Sequence, residues 1–291
     1  MKNDLEEKRV HGSLLFPFQY YTAEQGRHGR PEIFVACHWH DDVEILTVAK
    51  GTLQIMVDGR ELRGEEGDIF FFNSGQIHQI QGNGFENDYY SFVFSMKSLD
   101  FRENDYTQTT ILDPIGDQRW FPQKIGSVQN GHAELLQVLE ELRSLCTRQP
   151  TAYQLLIKAN LYRVLALLEQ NQQFVVRSQL QREHSTTALR LKEVLRYVAE
   201  HYQEHISLEQ AAEIIHMSPK YFSNYFSETF HVSFVQYLNR YRIEQACILL
   251  QTTPLSVMEV GFQVGYGNFS YFIRRFREFY GCTPSDYRKR L

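Results

Sequence analysis

Ser207–Leu238 (SLEQAAEIIHMSPKYFSNYFSETFHVSFVQYL) and Ser256–Tyr287 (SVMEVGFQVGYGNFSYFIRRFREFYGCTPSDY) carry one pattern twice. Tyr221-Phe222 lines up with Tyr271-Phe272, Phe226 with Phe276, Phe230 with Tyr280 and Tyr237 with Tyr287, about 50 residues apart. The second copy has one extra residue near its turn. Each copy reads as a short helix, a tight turn and a second, amphipathic helix, the helix-turn-helix unit.

The side chains give physical reasons for that reading. Phe222, Phe226 and Phe230 recur every four residues and form one buried stripe, leaving Lys220, Ser223, Asn224 and Ser227 largely on the other face. In the second copy the expected stripe is Phe269, Phe272, Phe276 and Phe279. Asn268 precedes that helix, and Ser270, Tyr271, Arg274, Arg275 and Glu278 lie on or beside its polar face. Ala211-Ala212 and Val260-Gly261 put small residues where the first helix must approach the second. Ser207, Ser218, Ser256 and Asn268 are expected N-caps. A helical bundle with no nucleic-acid partner accounts for one such unit. It leaves a duplicated unit with polar, partly basic second helices unexplained. The expected DNA-contacting residues are Lys220, Tyr221, Ser223, Asn224, Asn268, Ser270, Tyr271, Arg274 and Arg275. Arg274 suits bidentate bonding to guanine and Asn224 suits adenine, with Arg275 on phosphate.

This stretch resembles the DNA-binding domain of AraC/XylS-type bacterial transcription regulators. The matching residues include Ala211-Ala212, Arg242, Ala246, Leu249-Leu250, Gly265-Tyr266, Gly281, Thr283-Pro284 and Tyr287-Arg288. Two positions depart from the pattern. Gly261 stands where the family usually has Ala, so the helix should lose up to about 1 kcal/mol. His231 stands where the family usually has Gly, whereas Gly281 keeps the left-handed cap in the second copy.

The chain has 291 residues, enough for two domains, and 43% hydrophobic residues, a globular composition. Its net charge of −5 excludes a generally polycationic nucleic-acid binder. Residues 188–291 nevertheless hold 12 Lys/Arg against 10 Asp/Glu, roughly +2, which leaves about −7 on the rest of the chain. Cys37, Cys146, Cys247 and Cys282 are scattered, without zinc-finger spacing, as expected of reduced thiols in a cytoplasmic protein. The N-terminal MKNDLEEKRV lacks an apolar core, and neither secretion nor membrane insertion is expected.

From about Pro31 to Phe94 the chain alternates short apolar segments with turns. The segments include Glu44–Ala49, Leu53–Val57, Ile69–Asn73 and Tyr89–Phe94, separated by turns at Lys50-Gly51, Asp58-Gly59 and Glu66-Gly67-Asp68. Many short strands at this spacing predict a β-barrel or jelly roll. Within it, His38-Trp39-His40, Glu44 and Gly51 make HxH-x3-E-x6-G, and Gly67-Asp68 leads on to Asn73-Ser74-Gly75-Gln76-Ile77-His78. This resembles the two cupin motifs, with Asn73 in place of Pro and no Asn after His78 at the usual spacing. His38 and His40, two apart on a strand, face one side; Glu44 joins them if the chain stays extended through Asp41-Asp42. The resemblance brings in His78 from a neighbouring strand. Two uses of His38, His40, Glu44 and His78 follow. They line an effector pocket, or they hold a divalent transition metal such as Zn, Fe, Mn or Ni.

Leu135, Val138-Leu139, Leu142 and Leu145 predict a helix over His132–Arg148. After Gln149-Pro150, Thr151 is expected to cap a second helix to about Gln170, with a stripe of Ile157, Leu161, Val164-Leu165 and Leu168. Both should cover the barrel, and the resemblance implies a dimer contact. Gln170–Thr187, rich in Gln, Ser and Arg, reads as a linker, with helix resuming at Leu189. Phe234–Leu250 should be one long helix between the repeats.

The expected architecture is therefore two-domain. Residues 1–170 form an all-β cupin-like barrel followed by helices that senses an effector and dimerises. Residues 171–187 are the linker, and 188–291 the all-α double helix-turn-helix domain. The expected function is a cytoplasmic, homodimeric, non-enzymatic transcription regulator that binds double-stranded promoter DNA under control of a small molecule such as a sugar, contacting RNA polymerase if an activator. The alternatives are a metal-dependent cupin enzyme, such as an oxygenase or isomerase, and a constitutive DNA binder.

Overall fold

A computed structural model describes residues 11–13, 15–27, 32–176, 179–230 and 232–289. The chain divides between Thr186 and Thr187 into two units.

The first unit begins with β1 (Phe18–Thr22), α1 (Ala23–Arg27), β2 (Ile33–His38), β3 (Val43–Lys50), β4 (Thr52–Val57), β5 (Arg60–Glu65), β6 (Ile69–Phe72), β7 (His78–Gly82) and β8 (Asp88–Phe94). Two short strands, β9 (Arg119–Trp120) and β10 (Lys124–Ile125), precede α2 (His132–Arg148) and α3 (Tyr153–Gln170); β11 (Val175–Val176) then pairs with β9. One antiparallel sheet has the order β1-β8-β3-β6-β10 and the other β2-β7-β4-β5. Asp58 and Gly59, both at positive φ (47° and 81°), join β4 to β5. Left-handed backbone at both central residues matches the twist of a two-residue hairpin.

Strands β3 and β6 are apolar on both parities because both of their faces are covered. Val43, Ile45, Phe71 and Phe92 pack with α2 and α3 through Leu135, Leu139, Leu142, Ile157, Leu161 and Leu168. The opposite parity, Leu46, Val48, Phe70 and Phe72, packs with Ile33, Leu53, Ile55 and Ile80 of the other sheet. The helices thus cover one sheet as their apolar stripes predict, and the space between the sheets is a second core. Strands β1, β5 and β7 were not among the expected segments. β5 (RELRGE) lies at a sheet edge and is largely exposed, so burial left no apolar signature on it.

Two helix starts differ from expectation. α3 is preceded by Ala152 in a left-handed conformation (φ 61°), with no side-chain cap, so Thr151 does not cap it. The left-handed Gln149 (φ 45°) has already turned the chain after α2. The helix expected from Leu189 begins ten residues earlier, as α4 (Gln179–His201). Its first turns contain Gln, Leu, Arg and Glu, good helix formers that need no apolar period.

In the second unit follow α5 (Leu208–Ile214), α6 (Pro219–Phe230), α7 (Phe234–Thr252), α8 (Val257–Gln263), α9 (Phe269–Tyr280) and α10 (Pro284–Lys289). Ser207, Ser233 and Ser256 each complete a capping box, with Gln210, Gln236 and Glu259 returning the bond. Each box satisfies two otherwise orphaned amides. Asn268 Oδ1 accepts from the Tyr271 amide at 2.9 Å, and Ser218 Oγ from the Tyr221 amide at 3.4 Å. The N-terminal part of α7 packs Phe234 and Tyr237 against Phe222, Phe226 and Phe230 of α6. Its C-terminal part packs Ile243, Ala246, Cys247 and Leu250 with Val260, Phe272, Phe276 and Tyr280. The buried stripe of α9 is Phe272, Phe276 and Tyr280, not one running through Phe269 and Phe279, which are half-buried. Spacing of four fits the single core that α7 offers. Gly281 ends α9 in the left-handed region (φ 67°), its N–H donating to Arg277 O. His231 lies outside the described residues. The matching irregularity before α6 is His216, at φ 55°, where the second copy has Gly265 at 89°.

Candidate functional site: recognition helices and the barrel interior

Burying the aromatic stripe of α6 turns Lys220, Tyr221 and Asn224 outward, with Tyr221 61% exposed and Ser223 half-buried. Tyr221 stacks on Tyr225, ring centroids 6.3 Å apart. The outward face of α6 therefore combines one cation, amide and hydroxyl donors and an aromatic plate.

The outward face of α9 is more basic. Ser270 and Arg274 are exposed, and Arg277, absent from the expected set, lies on the same stripe at i, i+4, i+7. Its spacing from Ser270 and Arg274 was the available signal. Tyr271 is the centre of a small network. Its hydroxyl accepts from Arg275 Nε at 3.0 Å, and both Arg274 and Arg275 stand 5.1 Å from its ring centroid. Arg275 also donates to Glu278 at 2.6 Å, whereas Arg274 Nε is 3.9 Å from Glu278 and its side chain is 65% exposed. Arg274 is thus the more exposed and the more loosely held of the two, while Arg275 is engaged by a hydroxyl and a carboxylate. Asn268 spends its side-chain oxygen on the helix cap.

Arg242, part of the sequence resemblance, is structural in this geometry. It donates to the carbonyls of Tyr202 and Glu204, at 2.7 and 2.6 Å, tying α7 to the end of α4.

In the first unit, His38, His40, Glu44 and His78 come together, with one donor atom of each within 4.8 Å of all the others. The route differs from simple parity. Residues 33 and 35 of β2 face the inter-sheet core, so His38 would face away in a regular strand. Three steps along β2 from Val35 to His38 match only two along β7 from Ile80 to His78, a bulge that turns His38 inward. Asp41-Asp42 form a bend, not extended chain. Glu44 faces inward through the register of β3, opposite Phe72, on the parity of Leu46 and Val48.

His40, Glu44 and His78 are buried, and His78 has no exposed surface. The Phe72 ring lies flat on the His78 ring, centroids 4.2 Å apart at 8°. Each imidazole Nδ1 donates to a backbone carbonyl: His38 to Ala36 at 2.8 Å, His40 to Asp42 at 2.9 Å and His78 to Gln76 at 2.9 Å. Glu44 Oε2 lies 3.2 Å from His40 Nε2 and 3.3 Å from His78 Nε2. Burial pushes the Glu44 carboxyl up, but His40 and His78 outweigh it and hold the group well below the usual carboxylate range.

The turn before His78 is braced by polar groups. Asn73, where the cupin motif has Pro, bonds both backbone groups of Phe121: its amide donates to Phe121 O and its Oδ1 accepts from Phe121 N. Gln76 Oε1 accepts from the Asn73 amide N–H, and Gln76 Nε2 donates to Asp58 at 3.0 Å. A Pro offers neither side-chain bond, so the departure at Asn73 exchanges rigidity of one kind for another.

Comparison with known proteins agrees with both halves of this geometry. The AraC-like ligand binding domain matches residues 26–165, and a helix-turn-helix domain matches residues 211–290. An HTH-type transcriptional regulator of Bacillus subtilis, YdeC, is 26% identical over 98% of this chain and 96% of its own length. The melibiose operon regulatory protein of Escherichia coli is 21% identical over 98% of this chain and 93% of its own. The DNA-binding domain of AdpA, a global transcriptional factor solved with a target DNA, is 31% identical, with a TM-score of 0.34, over 35% of this chain and 91% of that one. Among the described residues no helix is long and apolar enough to cross a membrane. With a ligand-binding domain matched ahead of a double helix-turn-helix, and a full-length relative of the same kind, the chain belongs to the AraC family of DNA-binding transcription regulators.

Proposed function

We propose that this protein regulates transcription at a promoter in response to a small molecule bound between the sheets of its N-terminal unit. The observation that carries this is the coexistence, in one chain, of two outward-facing polar helices on a shared α7 and a converging polar quartet inside an otherwise apolar barrel. Lys220, Tyr221, Ser223 and Asn224 read one major-groove segment, and Ser270, Arg274 and Arg277 the next, Arg274 on a base and Arg277 on phosphate. Tyr271 and Asn268 position α9, and Arg275 reaches DNA only on releasing Glu278. The protein acts as a homodimer, and the effector acts by binding one arrangement of the DNA-binding units better than another. A sugar is the effector class supported by the relative named for a melibiose operon.

A mobility-shift titration on the DNA upstream of the protein's own gene, with and without candidate metabolites, tests this. Sequence-specific retardation that one metabolite changes at least about tenfold, a coupling near 1.4 kcal/mol, is expected. Retardation indifferent to every sugar and metabolite that raises the thermal stability of the protein would sink the sensor half of the proposal.

A further inference from the structure

Each ring in the barrel quartet has its tautomer set by the backbone. The carbonyls of Ala36, Asp42 and Gln76 only accept, so the Nδ1 atoms of His38, His40 and His78 carry the hydrogens. In a neutral imidazole the lone pair is then on Nε2. The Nε2 atoms of His40 and His78 meet an oxygen of Glu44, itself only an acceptor when ionised. His40 Nε2 is hydrogen-bonded to Glu44 Oε2 at 3.2 Å. His78 Nε2 is buried and makes no hydrogen bond, despite its 3.3 Å approach to Glu44. Buried polar atoms without partners are costly and uncommon. A cation at the centre would give His78 Nε2 a partner and meet the other three converging donor atoms at the same time.

We propose that His38, His40, Glu44 and His78 bind one divalent first-row transition-metal ion through the three Nε2 atoms and the Glu44 carboxylate. Three imidazoles and one carboxylate suit Zn, Ni, Fe or Mn, whereas Mg and Ca favour all-oxygen shells. The backbone acceptors are the outer partners that orient metal-binding histidines. Stacking on Phe72 and pairing with Val57 hold His78 in place from two further directions. Asn73, Gln76 and Asp58 fix the turn that carries the Gln76 carbonyl. The binding itself stands on this geometry alone. Its consequence, that the ion or a small oxygen-donor molecule joining it sets DNA affinity, rests on the regulator reading.

The test uses the untagged full-length chain, stripped with a chelator and then dialysed against Zn2+, Ni2+, Mn2+ or Mg2+. Elemental analysis after gel filtration should give one transition-metal ion per chain and no Mg2+. Glu44→Gln, which keeps shape and removes charge, and His78→Gln should each weaken binding by about 10–100-fold, the scale of a lost ligand or outer partner. His205→Gln, outside the quartet, should leave it unchanged. Circular dichroism and the melting curve establish that each variant is folded, and the wild-type measurement needs no variant. A folded, DNA-binding wild-type chain that takes up none of these ions stoichiometrically overturns the proposal and leaves the regulator reading intact. Stoichiometric uptake that both Glu44→Gln and His78→Gln leave unchanged overturns it equally. Quartet-dependent uptake in a chain that retards no DNA supports the site and removes the regulatory reading.

Discussion

Gly261→Ala should destabilise the second helix-turn-helix unit, although intrinsic helix propensity points the other way. A methyl group at Gly261 would lie 2.8 Å from Cδ1 and 3.1 Å from Cγ of Phe272. Both atoms are at the root of the ring, where rotation about the side-chain bonds gives little relief. The ring is fully buried among Val260, Tyr266 and Phe276. Ala in place of Gly contributes about 1 kcal/mol of helix propensity. Forcing one extra carbon into a filled core costs about 1–3 kcal/mol, so the net expectation is a loss of roughly 1 kcal/mol. Amide hydrogen exchange of α8 and α9 in the full-length chain reads this directly. A loss of 1 kcal/mol corresponds to exchange about fivefold faster through local opening. Slower exchange along α9 in the variant would mean that the ring relaxes without cost, and the close-approach argument would be wrong.

Arg274→Ala should weaken DNA binding by about 1–3 kcal/mol and relax preference at one base position; a uniform loss on all sequences would make Arg274 a phosphate contact. Because α6 carries no Arg, binding-site selection should recover a half-site under it that depends less on G, and Asn224→Ala should relax an A position. An invariant G-rich element there would refute this. His216→Gly should raise stability by about 0.5–1 kcal/mol, since His216 adopts a left-handed conformation (φ 55°) that Gly accepts without steric strain; an unchanged or lower urea midpoint counts against strain at the turn. Asn73→Ala removes the side-chain bonds to both backbone groups of Phe121 and should cost about 1–3 kcal/mol. The melting of the first unit, followed by Trp39 and Trp120 fluorescence, checks that figure.

The double helix-turn-helix was legible because its aromatic residues repeat at a spacing that only a helix packed on a shared core uses. The capping serines and Asn268 marked helix starts by their own chemistry. The bulge at β2 was not legible. One surplus residue between Val35 and His38 leaves no composition signal, yet it decides which side chain of HisTrpHis points inward. Strand β5 was missed because an edge strand is not required to be apolar. For Arg275, expected on phosphate, sequence shows which face the arginine occupies but not that Tyr271 and Glu278 already bond it.

The two reading units share α7, and that sharing restricts how this protein can evolve new operators. A helix acts as a screw: each inserted residue advances the far end by about 1.5 Å and rotates it by about 100°. One extra residue in α7 would therefore move the second unit little but swing its recognition surface off the groove. Restoring the facing takes nearly a whole turn, an advance of about 5.4 Å, against about 3.4 Å per base-pair step of DNA. The distance between the two contacted DNA segments is thus coupled to their phase. Changes of operator are expected to come through side chains on α6 and α9, with the length of α7 held constant.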